Sequence, residues 1–263
     1  MQTMKKLHAL GLAAGLLIAA SAVFANTTFN GQSGNVALPT AKVTPYGALI
    51  VAADYQNTKD IINTEKDSGA IFVRCGIAEN AELGVGYRIF QYASPAASGD
   101  NGNTINVSGK YMTPIKLLGF DWSASADYGV THKFDAFPDD IKTTQIAWVG
   151  DQKFKIGDYT MVTGTVGVNW TEQDMGAAGK PHAVRYFAGA AVPLIENITV
   201  LGDYQTASSN LDMKSLYGLA VCYQAKSDLM IKGGVSNAYP SGEVNGAGQA
   251  KPFIAVSMKF NSK

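Results

Sequence analysis

The side chains best suited to acid–base chemistry in this sequence are its three histidines, His8, His132 and His182. His8 lies in an apolar N-terminal stretch, and the other two lie in polar stretches between apolar segments. A general base must lie within hydrogen-bonding reach of a nucleophile and must be oriented by a third group. The hydroxyl next to His132 is that of Thr131, and no regular segment supplies the rest of such a framework. The sequence therefore predicts no catalytic residues, and we expect the protein not to be an enzyme.

The polar stretch around His132 is also the best candidate for a metal site. Asp135, Asp139 and Asp140 follow this histidine closely, and carboxylates with an imidazole can bind calcium or a transition metal. An acidic surface loop is the commoner meaning of such a cluster. The sequence contains neither a paired-cysteine motif nor a glycine-rich phosphate loop, so we predict no metal and no cofactor.

Polar residues elsewhere recur at every second position of otherwise apolar segments. In residues 81–92 one set of alternate positions is Leu83, Val85, Tyr87 and Ile89, and the other is Glu82, Gly84, Gly86 and Arg88. Successive side chains of a β-strand point to opposite faces. Each such segment therefore has one face that suits lipid and one that suits water.

Segments with this alternation fill residues 48–260, and the connections between them alternate between long and short. Short turns are predicted at Glu79-Asn80 and at Thr113-Pro114. Tight turns on one rim and long loops on the other are typical of transmembrane barrels, which must close because lipid cannot hydrogen-bond a free sheet edge. The sequence predicts an all-β fold, a closed antiparallel up-and-down transmembrane β-barrel of about twelve strands (10–14). The predicted strands are 48–57, 69–77, 81–92, 104–112, 117–130, 143–154, 160–172, 183–193, 198–207, 215–225, 229–237 and 251–260.

Charged residues of both signs fall on the predicted inner face of this barrel, with glycine and serine between them. Charges in a narrow lumen must be paired or hydrated, and a barrel of this size can be open or filled. Two states therefore stay open, a water-filled pore and a lumen closed by salt bridges. The candidate lumen-facing residues are Asp54, Arg74, Glu82, Arg88, Lys110, Asp121, Asp127, Lys153, Arg185, Asp203 and Lys232.

The N-terminus has the pattern of a secretory signal peptide. Lys5 and Lys6 precede an apolar run, residues 7–24, that ends at Ala25 before Asn26. Cleavage removes these two lysines from 21 basic residues and none from 21 acidic ones, which leaves a net charge of −2. We predict a signal peptide at 1–25, a periplasmic N-terminal segment at 26–47 and a barrel at 48–263. The predicted location is the bacterial outer membrane, after cleavage between Ala25 and Asn26.

The last strand, residues 251–260, resembles the C-terminal strand by which outer-membrane proteins are recognised for insertion. Ile254, Val256, Met258 and Phe260 share one face, and Phe260 lies close to the C-terminus. The predicted partners are outer-membrane lipid, the barrel-assembly machinery through residues 251–260, and further copies of the chain in a homo-oligomer. Without a basic surplus, no nucleic acid partner is expected.

An Asp-Tyr pair recurs near the predicted long-loop end of three strands, at Asp54-Tyr55, Asp127-Tyr128 and Asp203-Tyr204. The alternation predicts that each tyrosine faces lipid at the headgroup level, where aromatic rings are favoured, and that each aspartate faces the lumen. Three acids at one height would favour cations at the mouth of a conducting pore.

Residues 27–47 contain a motif that resembles the opening of YjbH-type outer-membrane barrels, which are associated with exopolysaccharide, and of related small barrels. The motif residues are Gly31, Gly34, Pro39, Thr40, Ala41, Pro45 and Gly47. The resemblance implies an outer-membrane barrel and, for function, a link to exopolysaccharide.

The sequence as a whole favours a porin-like channel or a structural membrane protein. Two alternatives remain from the same residues. One is an outer-membrane lipid-modifying enzyme that uses His132 or His182, and the other is a secreted glycan-binding β-sandwich, whose strands also alternate apolar and polar faces.

Overall fold

The structure is a computed structural model. It describes residues 28, 34–59, 65–94, 97–132, 140–156, 160–176, 179–208, 215–237 and 250–261. In this part of the chain no helix is long and apolar enough to cross a membrane.

Twelve β-strands make up almost all of the regular structure of the described residues. They are β1 Ala48–Lys59, β2 Glu65–Ala78, β3 Ala81–Ser94, β4 Ala97–Leu117, β5 Phe120–Thr131, β6 Ile141–Ile156, β7 Thr160–Asp174, β8 His182–Ile195, β9 Ile198–Gln205, β10 Leu216–Lys226, β11 Leu229–Ser236 and β12 Lys251–Asn261.

Each strand pairs antiparallel with the next one along the chain, and β1 pairs with β12 to close the sheet. The closing register runs from Ala48 opposite Asn261 to Gln56 opposite Phe253. One closed sheet has no free edge, whereas a β-sandwich consists of two separate sheets. The predicted barrel is therefore confirmed, and the alternative of a β-sandwich is wrong.

Two hairpins extend further toward the long loops than the sequence predicts. β2 begins at Glu65, and Glu65 pairs with Lys59. β4 begins at Ala97, and Ala97 pairs with Ser94. Polar residues in these arms interrupt the apolar alternation, but the ladder joins backbone groups, which every residue other than proline carries in full.

The predicted turn at Thr113-Pro114 is wrong. These residues lie in a bulge of β4, where pairing with β5 breaks between Met112 and Lys116. Pro114 has no N–H to give to the ladder, which explains why it sits at a bulge. The chain reverses instead at Leu118 and Gly119, whose φ angles are 55° and 80°, as a tight hairpin turn requires.

Exposed and buried residues alternate along the strands, so the two faces of the barrel wall differ in burial. In β10, Tyr217, Leu219, Val221 and Tyr223 are exposed, and the residues between them are buried. The same period holds in β3 and β12. The buried face is the inner one. The outer face is a continuous apolar surface of the kind that lipid covers in transmembrane barrels.

Candidate functional site in the barrel lumen

Nine of the eleven predicted lumen residues have almost completely buried side chains on the inner wall. Eight of them are between 1% (Arg74) and 7% (Asp203) exposed, and the side chain of the ninth, Asp54, is 5% exposed. Asp121 and Lys153 lie nearer the short-turn rim, where Asp121 forms an exposed ion pair with Lys116 at 3.1 Å and Lys153 is exposed. The nine buried residues are Asp54, Arg74, Glu82, Arg88, Lys110, Asp127, Arg185, Asp203 and Lys232.

Residues 34–44, which precede β1, lie inside the barrel, and we call them the plug. Val36, Ala41 and Thr44 of the plug are completely buried. The plug forms hydrogen bonds to inner-face side chains of β3, β4, β6, β9 and β11. Because these strands are distributed around the barrel, the plug occupies the interior and is not attached to one wall only.

The plug is connected to β1 at the short-turn rim. The N–H of Gly47 donates to the carbonyl of Gly76 at 3.0 Å, next to the tight turn between β2 and β3. The sequence predicts a periplasmic segment at residues 26–47, ahead of the barrel. The structure adds that the plug part of this segment folds back into the lumen.

Asp203 of β9 binds three successive backbone N–H groups of the plug. Its Oδ2 atom accepts hydrogen bonds from the backbone N–H groups of Val36, Ala37 and Leu38, at 3.0, 2.8 and 3.1 Å. Hydrogen bonds to a carboxylate are stronger than those between neutral groups. Gly218 of the neighbouring β10 makes room for this turn, since a Cβ atom there would lie 2.7 Å from a methyl group of Val36.

Two further wall residues hold the middle of the plug. Asp151 of β6 accepts a hydrogen bond from the Ala41 N–H at 2.9 Å, and its other oxygen accepts one from the Thr165 hydroxyl at 2.8 Å. The Lys110 ammonium donates to the Thr40 carbonyl at 2.9 Å. A carboxylate and an ammonium thus satisfy a donor and an acceptor of neighbouring plug residues.

Glu82 of β3 anchors the plug near the short-turn rim. Its Oε2 atom accepts hydrogen bonds from the N–H and the hydroxyl of Thr44, at 2.6 and 2.8 Å. Arg74 and Lys110 lie 3.7 and 3.6 Å from the same carboxylate. Glu82 therefore belongs both to the plug contact and to a buried cluster of wall charges.

The end of the plug that lies furthest from β1 combines polar and apolar contacts. The Lys232 ammonium of β11 donates to the Asn35 carbonyl at 2.9 Å. Val36 packs in an apolar cluster of the inner wall, and Leu38 packs in a second cluster that contains Phe187 of β8. Charge-assisted hydrogen bonds and apolar packing together fix one conformation of the plug.

Two glycines allow the chain to pass through these narrow places. A Cβ atom on Gly34 would lie 2.3 Å from the carbonyl oxygen of Leu38, and one on Gly76 would lie 2.1 Å from that of Pro45. No side chain fits at these distances. Gly34 and Pro45 both belong to the motif of residues 27–47, so at least part of that motif is explained by the plug.

Sequence reasoning missed Asp151 and the interior position of the plug. Asp151 shares the inner face of β6 with Val149 and Lys153, so the alternation contains the signal that finds it. The plug has no such signal, because its residues do not alternate and their partners are distant in the chain.

Two other acids of the recurrent Asp-Tyr pairs have different partners from Asp203. Asp54 accepts two hydrogen bonds from Arg88, at 3.2 and 3.0 Å. Asp127 accepts one from the Asn106 amide at 3.2 Å. The three neighbouring tyrosines are exposed on the outer face, at 46–50%.

His132 and His182 lie near the long-loop rim, where they do not form a three-residue metal-binding group with other described residues. His132 lies 3.7 Å from the carboxylate of Asp140, and Asp135 and Asp139 are outside the described residues. His182 is the first residue of β8. At the same rim, a hydrogen bond to Asp174 raises the pKa of Lys180.

No family model and no curated protein matches the chain. Among solved structures, the KdgM porin in complex with disordered oligogalacturonate has a TM-score of 0.51 at 9% identity over 81% of this chain and 99% of that one. The translocator domain of the autotransporter NalP from Neisseria meningitidis has 0.50 at 11% identity over 83% and 90%. The β domain of the Bordetella autotransporter Brka has 0.51 at 8% identity over 82% and 99%.

Identities this low establish the fold alone. The chain has the barrel fold of these proteins along nearly their whole length, and its charged inner wall encloses part of its own N-terminal region.

Proposed function

We propose that the chain is a porin-like β-barrel of the bacterial outer membrane in which the plug restricts passage through the lumen. The observation that carries the proposal is the set of hydrogen bonds from wall charges to plug residues 34–44. A polar and charged lumen of this kind is found in barrels that hold a water-filled channel and in barrels whose interior is plugged. In this proposal the plug decides whether the lumen conducts.

The outer surface supports the membrane location. Exposed Leu, Val and Ile residues form its middle, and tyrosines lie toward the long-loop end of the strands, such as Tyr55, Tyr128 and Tyr204. This order of apolar band and aromatic girdle suits a bilayer with its two interfaces. In this proposal the leader, residues 1–25, directs export, and the short-turn rim with both termini faces the periplasm.

The last strand supports the proposed route of insertion. β12 pairs with β1 along nine residue pairs, so it is the strand that completes the closed sheet. Its outward residues Ile254, Val256 and Met258 are exposed. We propose that residues 251–260 are the segment recognised by the barrel-assembly machinery. The similarity of residues 27–47 to YjbH-type barrels, with its link to exopolysaccharide, stays a prediction.

Planar-bilayer recording of refolded protein tests the proposed role of the plug. The mature chain, residues 26–263, is expected to show rare openings, and a variant that lacks residues 26–44 is expected to show long-lived open steps. Asp203→Ala removes the acceptor of three plug N–H groups and should raise the open fraction at least several-fold. Asp127→Ala is the matched control, because this acid is also buried on the inner wall but accepts no hydrogen bond from the described plug residues.

Each result has a defined meaning provided that the variants fold, which a shift in gel mobility between boiled and unboiled samples reports. Equal conductance of the full and shortened chains would show that the plug does not restrict the path. A folded shortened chain that never conducts would favour a structural membrane protein. If Asp127→Ala opened the barrel as much as Asp203→Ala, the assigned anchor would be wrong.

A further inference from the structure

Arg185 differs from the other buried cations of the inner wall. It lies on β8 and is 4% exposed, and its Nε atom has no hydrogen-bond partner. Arg88, Lys110 and Lys232 donate to a carboxylate or to plug carbonyls, and Arg74 lies 3.7 Å from the carboxylate of Glu82. No hydrogen bond or ion pair joins Arg185 to any described residue. A buried cation without a partner is costly, so this position calls for a compensating anion.

Neighbouring side chains add donors and not acids. Asn169 of β7 pairs directly across from Arg185. The Thr171 hydroxyl donates to the side-chain Oδ1 atom of Asn169 at 3.4 Å, which leaves the side-chain Nδ2 group of Asn169 for another acceptor. Gln205 of β9 has a buried amino group without a hydrogen-bond partner. It pairs with Phe187, two residues from Arg185.

The three residues Arg185, Asn169 and Gln205 lie next to the plug, on its long-loop side. Phe187, the next inward residue of β8, packs in the same apolar cluster as Leu38 of the plug. Arg185 lies one inward position nearer the long-loop end of β8, which begins at His182. The nearest inward acids on β6 and β9, Asp151 and Asp203, accept hydrogen bonds from the plug.

We propose that Arg185, Asn169 and Gln205 form an oxyanion-binding subsite on the long-loop side of the plug, which takes the carboxylate or phosphate group of a small solute. A guanidinium group presents two parallel N–H donors that match the two oxygens of such a group. The amide donors of Asn169 and Gln205 complete the site, and Phe187 with Leu38 closes it toward the plug. The inference rests on the proposed function, since the solute reaches the subsite through the long-loop mouth.

Calorimetric titration of the refolded mature chain in detergent micelles tests the subsite without requiring conduction. Three probes share one sugar ring: glucuronate carries a carboxylate, glucose 6-phosphate carries a phosphate, and glucose carries neither. We expect measurable binding of at least one anionic probe and no binding of glucose. The stronger of the two anionic probes identifies the preferred group. Equal binding of all three, or binding of none, would overturn the proposal.

Variants locate the binding to Arg185. Arg185→Gln should abolish binding of the anionic probe, and Arg185→Lys, which keeps the charge but loses the two-donor geometry, should weaken binding at least tenfold. Lys153→Gln removes the same charge from the exposed short-turn rim and should leave the affinity unchanged. Unchanged affinity in Arg185→Gln, or an equal loss in Lys153→Gln, would refute the assignment.

Stability without ligand gives a second measurement that does not depend on binding. Because Arg185 is buried without a partner, Arg185→Gln should have the same denaturant midpoint as the parent chain or a higher one, and saturating anionic probe should raise the midpoint of the parent only. A lowered midpoint in Arg185→Gln would show that the arginine already has a stabilising partner. Probe binding by a barrel that does not conduct would support the subsite and contradict the proposed channel. Conduction by a barrel that binds no probe would support the channel and contradict the subsite.

Discussion

Three aspartates with the same local sequence have three different partners in this barrel. Asp54 forms an ion pair with Arg88, Asp127 accepts a hydrogen bond from Asn106, and Asp203 accepts three from the plug. Each is followed by an exposed tyrosine. The Asp-Tyr pattern therefore describes a position on the wall, with one residue inward and one outward, and the inward partner is set by the rest of the fold.

At the residue scale, Val85 tests the outward face. Val85 lies in the middle of β3 beside Val73 and Val107, and all three are exposed. An arginine at this depth of a bilayer costs about 2–4 kcal/mol. We expect Val85→Arg to lower the unfolding free energy in lipid vesicles by that amount and Val85→Leu to change it little.

The inward neighbour Gly84 is not a neutral control for that experiment. A Cβ atom on Gly84 would lie 2.8 Å from the Ser108 hydroxyl, and Arg74 is adjacent. An arginine at Gly84 would therefore meet a filled lumen and a second cation. A Val85→Arg variant as stable as Val85→Leu would show that this face does not contact the acyl chains.

At the element scale, the connections between strands lie at two rims of the barrel, one with tight turns and one with long loops. Tight turns join β2 to β3 at residues 79–80 and β10 to β11 at residues 227–228. Plug residues reach the lumen from this rim, since Gly47 is bonded to Gly76. The sequence predicts that the long connections face the cell exterior, namely 58–68, 93–103, 131–142, 173–182, 208–214 and 238–250.

Cysteine labelling on intact cells tests this orientation. In a background without Cys75 and Cys222, Lys180→Cys should react with a membrane-impermeant maleimide, because Lys180 lies on the long-loop side. Glu79→Cys, in an exposed turn of the opposite rim, should react only after the outer membrane is opened. The reverse labelling pattern would place the plug entrance on the cell surface.

At the scale of the whole molecule, the buried charges of the described inner wall balance. Five acids, Asp54, Glu82, Asp127, Asp151 and Asp203, accompany five bases, Arg74, Arg88, Lys110, Arg185 and Lys232. A lumen with both signs has no strong net field to select ions. The balance argues against the simple cation-favouring mouth that the three Asp-Tyr pairs suggest by themselves.

Selectivity of the barrel without its plug tests this balance. In a salt gradient, the chain that lacks residues 26–44 should show a reversal potential near zero. Replacing Asp54, Asp127 and Asp203 together by Asn leaves an excess of bases and should shift the reversal potential toward anion permeation. Lys110→Gln, which removes a base, should shift it in the opposite direction. Absence of both shifts would show that ions do not pass these side chains.

The sequence by itself determined the class of fold and the two faces of the wall. These properties depend on a local period of two and on the positions of turn residues, which are present in any short stretch of the chain. The tight turn of the β4–β5 hairpin was misplaced, because Pro114 marks a bulge as readily as a turn. Asp151 was missed, although the period that identified Lys153 also includes it.

Only the tertiary structure decided what fills the lumen. The plug has no alternation, and its anchors are far away in the chain: Leu38 and Asp203 are 165 positions apart, and Ala41 and Asp151 are 110 positions apart. Such contacts form only when the closing pair of β1 and β12 has enclosed an interior. The same fold decides that Arg88 of β3 reaches the carboxylate of Asp54 on β1 and that Arg185 has no such partner among the described residues. Burial and pairing depend on which strands the closed sheet brings together.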